Sequence, residues 1–475
     1  MPQLSRRVVP ILTLFVSLAQ VVNTGFAGTR PNILLIVSDD QRPDTIQSLG
    51  NPLIQTPHLD RLVMSGVAFT RATCGNPICT PSRAEILTGC CSFRNGVLDF
   101  GKPISPRVPR LAHWFTRAGY QTHYVGKWHN DGGPAQHGYQ TSRGLYRGGG
   151  GKFSRPQVDW ADRPVTGYRG WVFQDESGQL FPDLGVGLTP DISSKIADAA
   201  IACVEHSAQS NQPFLLHVNF TAPHDPLLLP PGWEQAYDPQ RLPLPANFLP
   251  RHPFDHGNIE GRDELLFAWP RTPRETLGEL AAYYAVISHM DAQIGRILAA
   301  LHATGLAQNT LIVFTSDHGL AIGSHGLRGK QNMYEHTIGV PLVISGPGIP
   351  AGERRNAQCY LRDLFPTLTD LAEIDSPGEQ IDGRSLVPVL RGEREEIHPF
   401  IVGYFRHAQR MIRAEGWKYI EYPEAGIEQL FDLTNDPHEL TNLANEPRHD
   451  ARRKLLNGLL HEWLQAHGDP SRKQE

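Results

Sequence analysis

Residues 32–38 (NILLIVS) are apolar almost without interruption. A run that short, with no polar alternation, predicts a strand covered on both faces, as in a parallel sheet. Segments 121–125, 214–220, 311–316 and 342–344 also read as strands. Between them apolar residues recur at helical spacing over 111–118, 192–206 and 277–303; in the last, Ile287, Met290, Ile294, Ile297, Leu298 and Leu301 share one face. Strands alternating with helices predict an α/β domain with a parallel or mixed sheet. Two stretches look like excursions from it. Residues 143–175 carry glycines 148–151 and the aromatics Trp160, Tyr168 and Trp171, and residues 226–253 hold eight prolines. Either is an ordered surface loop or the rim of a site. After Arg391 the texture changes: short strands at 411–413, 418–422 and 430–433 and an amphipathic helix at 451–467 predict a small α+β subdomain. The expected division is a large domain over 28–391 and a C-terminal subdomain over 392–475.

The first residues read differently. Arg6 and Arg7 precede an apolar run from Val8 to Val22, and the small residues Gly25 and Ala27 follow. That is the pattern of a signal peptide over 1–27, cleaved after Ala27. The run is short for a membrane span, and Gln20, Asn23 and Thr24 interrupt or follow it. The expectation is therefore a secreted or periplasmic protein with no stable membrane insertion, a retained anchor being the alternative. Across 475 residues the net charge is −5, which argues against nucleic-acid binding through bulk positive charge. Six cysteines are too few for a disulfide scaffold.

Chemistry concentrates where the strands end, which is where open α/β sheets bind ligands. Strand 32–38 delivers Asp39 and Asp40, strand 311–316 delivers Asp317 and His318, strand 121–125 runs into Lys127 and His129, and strand 214–220 precedes His224 and Asp225. A lone aspartate at a strand end usually only forms a turn. Four strand ends with ionisable groups are not explained that way. Three converging carboxylates repel one another unless a cation neutralises them, and carboxylate oxygens suit calcium or magnesium. Arg83, Lys127 and Lys330, with His129, His224 and His325, add a ring of basic groups suited to an anionic tetrahedral ligand. Cys79 opens the segment Cys79-Thr80-Pro81-Ser82-Arg83, with Pro81 in the first turn of an expected helix, Thr80 as its candidate cap and Gly89 as its end. Such a cysteine is either a nucleophile at a helix N-terminus or a buried structural group.

Cys79-Thr80-Pro81-Ser82-Arg83, with Leu87-Thr88-Gly89 after it, closely resembles the sulfatase signature, whose cysteine is converted after translation to Cα-formylglycine. The resemblance continues in order from residue 30 to about 445. It runs through Arg30-Pro31-Asn32 leading to Asp39-Asp40, Gly126-Lys127-Trp128-His129, Ala222-Pro223-His224, Ser316-Asp317-His318-Gly319 and Gly329-Lys330. It continues through Asp382-Gly383-Arg384-Ser385-Leu386 and Leu430-Phe431-Asp432-Leu433. It implies the alkaline phosphatase superfamily fold: a large α/β domain around a mixed sheet, then a smaller C-terminal sheet. It also implies a metal, normally Ca2+, held by Asp39, Asp40, Asp317, His318 and the modified Cys79. Arg83 and Lys127 would stabilise the formylglycine hydrate, and Lys127, His224 and Lys330 would bind sulfate. His318 departs from the asparagine of many members.

The activity implied is sulfuric ester hydrolysis. A hydrate hydroxyl attacks sulfur, the alcohol leaves, and His129 takes the proton of the second hydroxyl so that sulfate departs and the aldehyde returns. A formylglycine-generating enzyme is an implied partner, and a sulfated carbohydrate or an aryl or alkyl sulfate the implied substrate. Two other readings stand beside it: a phosphonate or phosphate ester hydrolase, and a non-catalytic binder of sulfated glycans if Cys79 stays unmodified. His325 is a candidate pocket residue. Arg406 and His407 read as a solvated turn, and His289 and Asp291 as surface or packing groups. Of the other five cysteines at least one is unpaired, and their pairing is open.

Overall fold

In the computed structural model, which describes residues 30–470, every residue of strand β1 (Asn32–Ser38) is buried. The expected signal segment at 1–27 lies outside the described residues. Alternate side chains of β1 enter separate cores. Leu34 and Ile36 face helices Ile192–Ser207 and Pro273–Ala303, whereas Ile33, Leu35 and Val37 face helices Leu111–Arg117 and Leu364–Leu371. A strand with a helical layer on each side has no polar face, which is why its sequence does not alternate.

Nine further strands complete the sheet: β2 (Gly66–Thr73), β3 (Gln121–Lys127), β4 (Thr141–Gly148), β5 (Trp171–Gln174), β6 (Leu180–Val186), β7 (Phe214–Asn219), β8 (Thr310–Ser316), β9 (Leu342–Ser345) and β10 (Glu353–Tyr360). Their order is β10-β2-β9-β8-β1-β7-β3-β4-β5-β6. The central strands β8, β1, β7, β3 and β4 are parallel, while β9, β5 and β6 pair antiparallel with neighbours, so the sheet is mixed. The stretch expected to be an excursion over 143–175 thus contributes β4 and β5 to the sheet, whereas 226–253 forms no strand or α-helix. Gly126 has φ +90°, and a Cβ there would lie 2.0 Å from the Asn219 carbonyl oxygen, so only glycine lets β3 run tightly along β7 before Lys127.

A second, four-stranded antiparallel meander follows: β11 (Phe400–Phe405), β12 (Gln409–Ala414), β13 (Trp417–Tyr422) and β14 (Ile427–Asp432). One of its faces packs Ile401, Met411 and Ile420 against Ile78, Met333 and Tyr334 of the first unit. The other packs Val402, Ile412 and Leu430 against Leu456, Leu460 and Leu464 of helix Asp450–Ala466.

Asp291 is not a surface group. It is buried, and its carboxylate accepts the backbone N–H groups of His58 (3.1 Å) and Leu59 (2.7 Å), capping helix Pro57–Ser65 from a neighbouring helix. His289 packs beside Gln293 (3.2 Å). Burial pushes the Asp291 carboxyl up to about 7, against the two backbone N–H bonds. A raised acid pKa means that the folded state holds the proton more tightly than the unfolded chain. Stability therefore falls as pH rises from about 4 to 7. Asp291→Asn should flatten that part of the profile. Urea unfolding at several pH values checks it, and an unchanged slope would remove Asp291 as its source.

Candidate active site

The four strands β8, β1, β7 and β3 lie side by side and parallel, so their carboxyl ends open on one edge of the sheet. β1 presents Asp39 and Asp40, β8 presents Asp317 and His318, β3 ends at Lys127, and β7 ends at Asn219 ahead of His224. Asp39, Asp40, Asp317 and His318 are wholly buried. Each acid has a cation. Lys127 Nζ pairs with Asp39 Oδ2, Lys330 Nζ donates to both oxygens of Asp40 (2.8 and 2.9 Å), and Arg83 Nε and Nη2 reach Asp317 Oδ2 (3.0 Å each). Asp317 Oδ1 also accepts the backbone N–H groups of Asp40 (3.1 Å) and His318 (2.9 Å).

Cys79 is the first residue of helix Cys79–Thr88, whose ten residues are all buried. Ile78, not Thr80, is its N-cap: the Thr80 hydroxyl instead donates to the His129 carbonyl (2.9 Å), tying the helix to the segment after β3. Gly89 ends the helix in the left-handed region, as the sequence predicts. Ser82 Oγ donates to the Asp317 carbonyl (2.6 Å), and Arg83 Nη1 to Asn219 Oδ1 (2.6 Å). Cys79 Sγ lies 3.5 Å from Asp39 Oδ1, 3.4 Å from His318 Nε2 and 3.5 Å from Lys330 Nζ.

The electrostatics follow from burial and these pairs. Burial pushes the Cys79 thiol well up, and Lys127 and Lys330 offset this only in part. Burial also raises the Asp40 carboxyl, and Asp39 and Asp317 add to the rise against Lys330. For Asp317 the burial effect is overcome by His318, Arg83 and Lys127, which hold its carboxyl far below the usual range. Burial, then Lys330, drives His224 well down; burial, then Lys127, does the same to His129, so both imidazoles are neutral. His224 Nδ1 donates to the Asp225 carbonyl (2.6 Å), which leaves Nε2 to accept from Lys330 Nζ (2.7 Å). His129 Nδ1 is buried without a partner among the described residues.

A cavity of about 420 Å³ stands over this floor, lined by Cys79, His129, Tyr168, Trp171, His224 and Lys330 among others. Ten of the eleven residues singled out in the sequence belong to this floor, its pairs or its wall. His325 does not: its backbone is left-handed (φ +52°), and its ring stacks on Tyr334 (3.8 Å between centroids) and pairs with Asn247. Arg406 lies in an exposed turn, as expected, and from there it also lines the cavity and pairs with Asp99 (2.8 Å). His407 is exposed. All six cysteines are free and buried.

Several residues have contacts in the site that the sequence does not specify. The Tyr168 hydroxyl bonds Lys127 Nζ (2.5 Å) and Asp39 Oδ2 (3.2 Å), and Asp225 pairs with Arg262 (2.7 Å) and Arg328 (3.4 Å) behind His224. Asn219 had a signal, being the last polar residue of a buried strand. Tyr168 sits in a glycine-rich stretch with no period to reveal it.

A family model described as Sulfatase matches residues 31–374. The chain belongs to the sulfatase family. A second model, N-sulphoglucosamine sulphohydrolase, C-terminal, matches residues 323–466. Choline-sulfatase of Rhizobium meliloti (strain 1021) is 31% identical over 437 residues, covering 88% of this chain and 83% of the relative. A solved protein in complex with its substrate D-glucosamine-2-N,6-O-disulfate superposes with TM-score 0.76 at 25% identity, covering 94% of this chain and 100% of that one. Phosphonate monoester hydrolase of Agrobacterium radiobacter superposes with TM-score 0.72 at 26% identity, covering 92% and 96%.

This sulfatase is thus a hydrolase of sulfate esters on an α/β fold with a mixed sheet and a C-terminal antiparallel sheet. The family implies a metal ion and a formylglycine, and the residues present fit both. Single ligand atoms of Asp39, Asp40, Cys79 and His318 lie within 4.8 Å of one another. Asp40, whose ionisation is resisted by burial and two like neighbours, is a group that a cation would relieve.

Proposed function

We propose that this sulfatase removes sulfate from a sulfated carbohydrate, using a formylglycine made from Cys79 by a formylglycine-generating enzyme. The observation that carries the reading is the position of Cys79 Sγ, within 3.5 Å of Asp39, His318 and Lys330 at the floor of a cavity. The metal would be Ca2+, held by Asp39, Asp40, Asp317, His318 and residue 79, and when bound it would supply the charge that makes a hydroxyl on residue 79 acidic. Mainly oxygen donors support calcium, and the His318 imidazole is the departure from that set. The unit over 28–391 carries these residues, and the one over 392–475 adds Arg406 to the mouth. The signal pattern at 1–27 supports a secreted or periplasmic location. Among the described residues no helix is long and apolar enough to cross a membrane.

The residues divide the work as follows. Lys127, Lys330 and His224 hold the sulfate. Arg83 fixes Asp317 and Asn219, and with Lys127 balances charge under residue 79. Lys330 holds the proton nearest a departing alcohol, because neutral His224 accepts from it and keeps its own proton on Nδ1. His129, neutral and with an unpartnered ring nitrogen, takes the proton that lets sulfate leave.

General acid help matters most for a poor leaving group and is worth ~10²–10⁴-fold. Lys330→Ala should therefore cost that much more in kcat/KM on a sugar sulfate than on nitrophenyl sulfate. His129→Ala should give a burst of alcohol followed by stalling on both substrates. Stopped-flow alcohol release reads both variants. Equal losses for Lys330→Ala would confine Lys330 to sulfate binding, and absence of a burst would take His129 out of the release step.

A second reading, hydrolysis of phosphonate or phosphate esters, is favoured by the likeness to phosphonate monoester hydrolase. Release of inorganic sulfate from sulfated monosaccharides, set against turnover of matched aryl sulfate and aryl phosphonate esters, tests both. Faster phosphonate turnover with no sulfate released from any sugar would replace the carbohydrate reading.

A further inference from the structure

A second cavity, of about 280 Å³, adjoins the first and shares with it the residues Phe100, His129 and Trp171. These three rings form a partition. The Phe100 and His129 centroids are 5.6 Å apart, and His129 meets Trp171 edge-on at 5.1 Å. The partition is tied to the nucleophile helix, since Thr80 Oγ1 donates to the His129 carbonyl and Asn130 Nδ2 donates to the Thr80 carbonyl (2.9 Å). Together the two chambers fall in the ~300–1,000 Å³ range of small-ligand sites. A molecule filling both would run across an aromatic wall, and Phe100 is exposed enough to offer a face to it.

The cations of the two chambers differ in one respect. In the first, Lys330 pairs with Asp40, Arg262 with Asp225 and Asp263, and Arg406 with Asp99. In the second, whose lining includes Arg147 and Lys102, neither cation forms an ion pair with a carboxylate among the described residues. Asp131, the acid of that chamber, accepts the Ile104 N–H (3.0 Å) and lies 3.8 Å from His137. Arg147 is half-buried, and burial without a compensating acid lowers its affinity for a proton. A desolvated guanidinium without a counter-charge is stabilised by an anionic ligand, and its planar fork fits a carboxylate or sulfate with two hydrogen bonds.

We propose that the second cavity is a subsite for an anionic sugar residue, the neighbour of the one that loses sulfate, with Arg147 and Lys102 as its anion receptor. The inference rests on the sulfated-carbohydrate reading and narrows it to a polyanionic glycan. Phe100 and Trp171 face the sugar rings, and Lys102, exposed on a flexible stem, closes on the anion from the rim.

The test compares three disaccharides, each with one sulfate ester on the terminal residue. The neighbouring residue carries a carboxylate, a second sulfate, or the alcohol left by reducing the carboxylate. Sulfate release from the terminal residue gives kcat/KM. The wild type should prefer an anionic neighbour by about 10–100-fold, the range of a charge-assisted pair. Arg147→Ala with Lys102→Ala should erase that preference, chiefly through KM, and added NaCl should weaken it. The readout is a ratio on one enzyme, so partial misfolding of the variant does not alter it. Preference for the carboxylate or the sulfate arm identifies the anion. Equal turnover of charged and neutral substrates by the wild type, or a preference that survives the double substitution, would overturn the subsite alone. Release from none of the disaccharides, with nitrophenyl sulfate still hydrolysed, would overturn the carbohydrate reading and the subsite with it.

Discussion

Replacing Cys79 with alanine should lower turnover of nitrophenyl sulfate by roughly 10⁵–10⁶-fold, the usual consequence of removing a covalent nucleophile. The substitution truncates one small side chain at a buried helix start, so the Tm of the metal-free protein should change little. Cys79→Ser should be inactive to a similar degree, because a serine has no second hydroxyl through which to expel sulfate. The structure gives a reason to expect a modified residue. Burial pushes the thiol well above its ordinary range, so an unmodified Cys79 would not be a thiolate near neutral pH. Trypsin should release residues 72–83, which contain Cys74 and Cys79. In active enzyme that peptide should take up one alkyl group, at Cys74, and carry an aldehyde at position 79. A fully active preparation with both thiols alkylated would refute the mechanism.

Asp40→Ala should abolish metal binding and lower turnover by ~10³-fold or more, since a metal ion supplies several kcal/mol of charge stabilisation. It should also lower stability twice over. Lys330 would be left buried without its closest acid, a loss of the order of 3–5 kcal/mol. The mass-action contribution of the ion, ~2.7 kcal/mol at a hundredfold excess over Kd, would disappear too. Wild-type Tm and activity should both fall on chelation and return with Ca2+, whereas the variant's Tm should respond to neither. His318→Asn should keep calcium binding. Because the metal-free Asp40 carboxyl is raised, protons compete with the ion there, and affinity should increase with pH. A variant that binds calcium like the wild type would remove Asp40 from the ligand set.

The central strands were readable because their burial is intrinsic to them. A strand with helices on both faces has little room for a polar side, and 32–38 and 311–316 are nearly all apolar, whereas 214–220 includes His217 and Asn219 and 121–125 (QTHYV) carries three polar residues that are paired inside the fold. Outer strands are held by a partner's backbone hydrogen bonds and carry no such mark. β10 reads ERRNAQCY and is exposed over its first half, and β6 reads LFPDLGV with an internal proline. Neither they nor β2 and β11 stand out in the sequence, and most of β4 and all of β5 fall in the stretch that reads as a surface loop or the rim of a site.

The groups at the ends of those central strands share the same local origin. Asp39, Asp40, Lys127, Asp317 and His318 converge because four parallel neighbours end on one edge, and Cys79 is aimed by its own helix. The chain's residue order alone therefore determined which strands form the middle of the sheet and which chemistry collects there. Tertiary structure decided what no local pattern encodes. Tyr168 reaches Lys127 and Asp39 from a glycine-rich segment, and Arg406 crosses from the second sheet to Asp99 over 307 positions. His325, seven residues from His318, is turned out of the cavity by a left-handed backbone and a stacked tyrosine. A side chain's direction depends on the loop that carries it and on the surfaces that loop packs against, and those are set only when distant parts of the chain meet.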